Sequence, residues 1–317
     1  MRREKRSAFL RCVLLAACVF ALCIGSLPAG AQQQVSLNFG ILTVVDTLPL
    51  IVAKEKGFFE AEGIDLKLVS FQSALERDVA FQSNRVNGYF GDLLNTLLLV
   101  NAGERLNIIT TVFRTNREHR MFALLANPKS GITSIEKVEG ETIAISKSSV
   151  IEFVLDEILV GRKLRPDRVT KLEIRAIPIR YQMLMGNQVK LALLPEPLVT
   201  KAVAEGALVL ADDRQLDVTL TVLALKLDAV QKAKDLPARF LRAYRKAVQL
   251  INASPESFKD LLVEKTQFPA SVKAIYQVPR FPLAEPPSEQ DVRRVERWLT
   301  RYGLITKPVA YDALIAR

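Results

Sequence analysis

The residues able to do chemistry in this chain are few, and their types bind more readily than they react. There is one histidine, His119, so His-based triads and multi-histidine metal sites are excluded. All three cysteines (Cys12, Cys18 and Cys23) fall within the first 31 residues, which leaves the rest without a thiolate nucleophile, a disulfide or a thiolate metal site. No G-x-S-x-G, P-loop, H-E-x-x-H, C-x-x-C or complete G-x-G-x-x-G occurs. What remains is a scatter of hydroxyls, carboxylates and amides: Thr43, Asp46 and Thr47; Gln72 and Ser73; Asp92; Ser146, Lys147 and Ser148; Tyr181; and Glu196. Hydroxyls and free N–H groups at a helix start, beside Lys147, form a natural anion pocket. Asp92 and Glu196 suit a cationic or polar group, and Tyr181 or Tyr89 could stack on a heterocycle. Each has a plainer reading. Ser148 or Ser149, and Asp46 or Thr47, could simply cap helices, and Asp92 and Glu196 could hold their loops. Arg180 reads by default as part of an exposed helix start, and Arg114, Arg117, His119 and Arg120 as a solvated charged turn. Paired catalytic carboxylates at Asp92 and Glu196 have only their positions in favour. The expectation is a binder with no cofactor, no metal and no catalysis.

The elements that must position these residues alternate. Val35–Ile41 reads as a strand, 47–62 as a helix ended by Gly63, and Ile64–Val69 as a second strand. Then follow a helix over 74–83, a short strand Val86–Gly91, a helix over 93–102 and a strand Leu106–Val112. The order returns about a hundred residues on: strand Glu141–Ile145, helix 149–160, strand Lys171–Ala176, helix 179–186, strand Val189–Leu194. Asn84-Arg85-Val86 is echoed by Asn187-Gln188-Val189, and Gly91-Asp92 by Pro195-Glu196. Strands alternating with helices imply α/β lobes with mostly parallel sheets. In such sheets ligands collect beyond the carboxyl ends of the strands, which is where Thr43 to Thr47, Gln72 and Ser73, Asp92, Ser146 to Ser149 and Glu196 are placed. Beyond 213 come one more strand, Thr219–Leu225, and helices over 237–252 and from Ser288. Trp298 lies on the apolar stripe of that last helix and reads as core.

Composition narrows the class. With 317 residues, 49% apolar, 25% charged, 15 Pro and 14 Gly, the chain is neither disordered nor low in complexity. Residues 1–31 have the layout of a secretory signal. Arg2, Arg3, Lys5, Arg6 and Arg11 precede an uncharged stretch from Cys12 to Ile24, followed by Ala29-Gly30-Ala31. A lipoprotein box at Leu15-Ala16-Ala17-Cys18 is the less favoured alternative. Removing residues 1–31 leaves 39 basic and 33 acidic residues, a mild and dispersed +6. That gives no nucleic-acid signature.

One stretch is specific. Thr47-Leu48-Pro49-Leu50-Ile51-Val52-Ala53-Lys54-Glu55-Lys56-Gly57-Phe58-Phe59-Glu60-Ala61-Glu62-Gly63-Ile64 resembles the opening of the nitrate/sulfonate/taurine-type solute-binding proteins of ABC importers, whose relatives include binders of thiamine-pyrimidine precursors. Val86–Asp92, Gly140–Ser146 and Glu196-Pro197 extend the likeness. The resemblance implies a type II periplasmic-binding-protein fold: two α/β lobes, 35–122 plus 222–317 and 123–221, joined by two crossover segments around a ligand cleft. It implies hinge closure on a small solute, in a monomeric periplasmic protein that serves a permease and its ATPase. The residues leave open a sulfonate-, taurine- or nitrate-like anion or a pyrimidine-type heterocycle. They also leave open a secreted enzyme or a sensor on the same fold.

Overall fold

The computed structural model describes residues 34–266 and 268–316; the expected leader lies outside them. Two five-stranded sheets carry the chain. The first contains β1 (Val35–Leu42), β2 (Ile64–Phe71), β3 (Gly88–Asp92), β4 (Leu106–Arg114) and β10 (Thr219–Lys226), in the order β2-β1-β3-β10-β4. The second contains β5 (Phe122–Ala126), β6 (Thr142–Ile145), β7 (Thr170–Glu173), β8 (Leu191–Pro195) and β9 (Leu208–Asp212), in the order β7-β6-β8-β5-β9. The two orders are the same pattern. In each sheet four strands run in one direction, and the fourth position is filled by a strand antiparallel to both neighbours that has just crossed from the other lobe.

The repeat read from sequence is physical down to single residues. The helices Ala74–Gln82 and Ile177–Met185 each span nine residues. Both are followed by an asparagine in the left-handed region, Asn84 at φ 59° and Asn187 at φ 56°. Asparagine tolerates that conformation because its short polar side chain bonds locally. The expected helix over 47–62 is instead a 3-10 turn, Val45–Thr47, and two helices, Leu48–Glu55 and Phe58–Ala61. Gly57, at φ 69°, bends the chain between them. That bend turns Phe59 inward, 4.7 Å from the ring of Phe240, which also stacks on Phe39 of β1.

Strands β5 and β9 were not foreseen. β5 is buried throughout and so lacks an alternating pattern, while β9 is largely exposed. The chain crosses between sheets at 115–121 and 213–218. Phe122 therefore already belongs to the second sheet, and Thr219–Thr221 to the first. The crossings are bonded together: the Thr115 N–H donates to Val218 O at 3.0 Å, and the Val218 N–H to Thr115 Oγ1 at 2.8 Å. Asp213 accepts the Met121 N–H at 2.9 Å. One apolar core runs through both lobes along one side, where the helices Leu93–Asn101, Val150–Gly161 and Glu289–Arg301 meet. There Trp298 meets Phe153 edge-on at 5.9 Å and donates to Asp156 at 3.0 Å.

Candidate functional site

The carboxyl ends of both sheets face one cleft, as the strand rule requires. Its inner compartment has walls from both lobes. The first lobe brings Val44 and Asp46 after β1, Ser73 and Arg77 after β2, and Gly91 and Asp92 at the end of β3. The second brings Ser146 and Ser149 after β6, Arg175, Ile177 and Arg180 after β7, and Pro195 at the end of β8. An outer compartment shares Leu42, Val44, Ile177 and Pro195 with it, and adds Thr43, Gln72, Tyr181 and Glu196.

Of the residues singled out in the sequence, Asp46, Ser73, Asp92 and Ser146 line the inner compartment, and Thr43, Gln72, Tyr181 and Glu196 the outer one. Thr47, Lys147 and Ser148 line neither. Thr47 is buried and its hydroxyl donates to Val44 O at 2.7 Å. Lys147 is exposed. The Ser148 N–H is consumed by Glu152 at 2.7 Å, and Ser149 caps the helix by accepting the Ile151 N–H. The Ser146 loop therefore supplies less free N–H than its sequence promised, because its helix start satisfies itself. Glu196 is similarly engaged: one oxygen accepts from Arg120 at 2.9 Å and the other from the Thr200 N–H at 3.0 Å. The Tyr181 hydroxyl donates to Glu205, and the Lys201 ammonium sits 4.6 Å from its ring centroid. Tyr89 is fully buried behind the wall, with the Arg77 guanidinium over its ring. Arg114 and Arg120 are ion-paired, to Asp291 and Asp217 and to Glu196, where a solvated turn was the default.

Two arginines that sequence reasoning left aside dominate the inner compartment. Arg77 and Arg180 are the fourth residues of the two repeat-related helices, and both are fully buried. The next residue decides their difference. After Arg77 comes Asp78, whose Oδ1 accepts from Arg77 Nε and Nη2 at 3.0 and 2.6 Å, while Nη1 bonds Phe90 O. After Arg180 comes Tyr181. Arg180 Nη1 donates to Ile174 O at 2.7 Å, and its Nε and Nη2 have no partner. Burial alone pulls its pKa down, to about 9, so it is still a cation at neutral pH. The signal was present in the sequence, since Arg180 stands four residues before Leu184 and shares its buried face.

The carboxylates respond to the same burial. Asp46 is pushed up to about 7 and Asp92 to about 6, each by desolvation; the Thr221 hydroxyl holds Asp46 back, as Arg77 does Asp92. Asp46 was weighed as a helix cap. It caps nothing; its Oδ2 accepts from Thr221 at 2.9 Å. Asp92 is a cap, accepting the Asn95 N–H at 2.7 Å. Among the described residues no cluster of three or more His, Cys, Asp or Glu is arranged to hold a metal ion.

A family model described as "NMT1/THI5 like" matches residues 45–258. A Bacillus subtilis protein named for binding aliphatic sulfonates is 25% identical over 247 residues, 74% of this chain and 72% of that one. Among solved structures, the alkanesulfonate-binding protein SsuA of Xanthomonas axonopodis pv. citri, bound to MOPS, superposes with a TM-score of 0.77 at 18% identity. The match covers 90% of this chain and 99% of that chain. The desulfurization enzyme DSZB superposes with a TM-score of 0.64 at 17% identity, covering 89% and 96%. The fold is thus that of the periplasmic binding proteins, and it carries both binders and an enzyme.

Proposed function

The chain belongs to the NMT1/THI5-like family, and from that premise we propose that it is the periplasmic solute-binding component of an ABC importer, capturing a small organic anion of the aliphatic sulfonate type and passing it to the permease. The observation that carries this reading is Arg180, a fully buried guanidinium in the cleft with two nitrogens unbonded. An isolated buried charge costs several kcal/mol. An anionic ligand would remove that cost by supplying two charge-assisted bonds in the planar geometry a guanidinium presents. The remaining wall, with Leu42, Val44, Phe90, Met121, Ile151 and Ile177, favours an organic rather than an inorganic anion. A stacked heterocycle has less support, because Tyr89 is sealed off and Tyr181 is already covered by Lys201.

Closure would bring Arg180, on the second lobe, toward Asp46, Ser73 and Asp92 on the first. The test is a thermal-shift panel of alkanesulfonates, nitrate and thiamine-pyrimidine precursor against the chain and its Arg180→Met variant. A sulfonate should raise the melting temperature of the wild type and have no effect on the variant. The ligand-free variant should melt at or above the wild type, since replacing an unpaired buried charge with an apolar group of similar length is neutral or stabilising. A sulfonate shift that survives Arg180→Met would sink the assignment.

A further inference from the structure

The repeat builds both cleft walls, and a segment outside it also reaches from one lobe to the other. Residues 268–285 lie between the helices Lys259–Lys265 and Glu289–Arg301, with a 3-10 turn at Ala270–Val272. One face of the segment is fixed to the first lobe. Phe268 meets Tyr276 edge-on at 5.0 Å, Asn252 exchanges hydrogen bonds of 2.8 and 2.9 Å with Phe281, and the Thr111 N–H donates to Glu285 O at 2.7 Å. The other face meets the second lobe. The turn packs on the helix Leu198–Ala204, and Pro269 lines the outer compartment together with Leu198 and Lys201. The segment therefore bridges the lobes beside the cleft itself.

Tyr276 stands at that bridge. It is 4% exposed and its ring belongs to the first lobe's core, yet its hydroxyl makes no hydrogen bond to any described residue. A buried hydroxyl without a partner is costly. Tyr276 shares a polar pocket with Arg120, Glu196 and Thr200. Burial holds its pKa well above the usual phenol value, helped by Glu196 and then Asp46 and opposed by Arg120, so at neutral pH the group has a proton to donate. Asp46 lies on the same lobe as Tyr276 and, pushed up to about 7 by burial, is partly protonated. Glu196 lies on the other lobe and carries the Arg120 ion pair. Each of its oxygens accepts one bond and keeps a lone pair to spare. We propose that Tyr276 latches the closed cleft: as the lobes approach, its hydroxyl donates to the Glu196 carboxylate, and this charge-assisted bond helps set the open–closed equilibrium.

The cysteines are confined to the first 23 residues, which makes closure measurable by cross-linking. In a background carrying Cys12→Ser, Cys18→Ser and Cys23→Ser, the pair Thr43→Cys and Gln182→Cys places one thiol on each wall of the outer compartment. Their rate of disulfide formation in a fixed glutathione buffer, with no solute present, follows the closed population, because the two sulfurs must come within bonding distance. Adding Tyr276→Phe, which keeps the ring, should slow the reaction about tenfold. The melting temperature should not fall, since the variant deletes a hydroxyl that the open form leaves unbonded. In a Glu196→Ala background Tyr276→Phe should have no further effect, whereas in Asp46→Asn it should keep its full effect. The latch is overturned if the parent pair does not cross-link, if Tyr276→Phe leaves the rate unchanged, or if its effect survives Glu196→Ala. Should Glu196→Ala not fold, loss of the effect in Asp46→Asn overturns the assignment to Glu196. No solute enters the measurement, so its outcome stands apart from that of the sulfonate reading.

Discussion

At the residue scale the cleft is governed by what each buried polar group already has. Arg77 and Arg180 occupy one repeat position, yet only Arg180 is left to seek a ligand, because Asp78 has no counterpart beside it. Gly91 shows how closely the wall is built around Arg77. A Cβ there would meet the Tyr89 ring at 2.6 Å and Arg77 Nη1 at 2.8 Å. Arg77 cannot retreat, since it is bonded on two sides. Gly91→Ala should therefore cost about 1–3 kcal/mol through overpacking, read as a lower urea midpoint with an unchanged m-value. An unchanged midpoint would mean that the wall yields more easily than its contacts imply.

At the scale of elements, the helix Glu289–Arg301 fastens the lobes along one edge. Asp156, on the Val150–Gly161 helix, accepts from Trp298 Nε1 at 3.0 Å and from the Tyr302 hydroxyl at 2.6 Å, and pairs with Lys171 at 2.7 Å. Arg294 reaches Glu157 on the same helix. Trp298, placed in the core from its periodicity alone, is a core residue that also bonds across the lobes. Asp156→Ala would strand the Trp298 and Tyr302 donors and leave Lys171 with Glu152 as its remaining ion-pair partner, and should cost about 2 kcal/mol or more in equilibrium unfolding. A loss below about 1 kcal/mol, the range of surface pairs, would show that the strap is only a loose contact. The two bonded crossovers lie at the carboxyl ends of the strands.

For the whole molecule, the buried carboxyls set how stability depends on pH. Asp46 and Asp213 are pushed up to about 7 and Asp92 to about 6, all chiefly by desolvation. Between their unfolded values near 4 and these folded values, the native state binds more protons than the unfolded chain. Stability therefore falls as pH rises through that window. The free protein should melt at a higher temperature at pH 5.5 than at pH 7.5. Asp46→Asn should flatten part of the slope. A melting temperature that climbs over this interval would show that these carboxyls are ionised and partnered in solution.

The sequence by itself determined the class of molecule. Alternating elements, the glycine-punctuated Ala53–Ile64 stretch and the Asn84 and Asn187 echo lead to two α/β lobes and a cleft at their strand ends, because periodicity and turn chemistry are local. It also placed most polar candidates on the cleft, since strand ends are legible from pattern. Tertiary structure alone decided which of them stay available. Whether Ser148, Glu196 or Asp46 keeps a free bonding position depends on Glu152, Arg120 and Thr221, which lie 4, 76 and 175 residues away. The exposed-start reading of Arg180 likewise gave way only when packing buried its helix face with no acid within reach. Hydrogen-bond satisfaction is a property of neighbours in space, and a spacing pattern along the chain does not contain it.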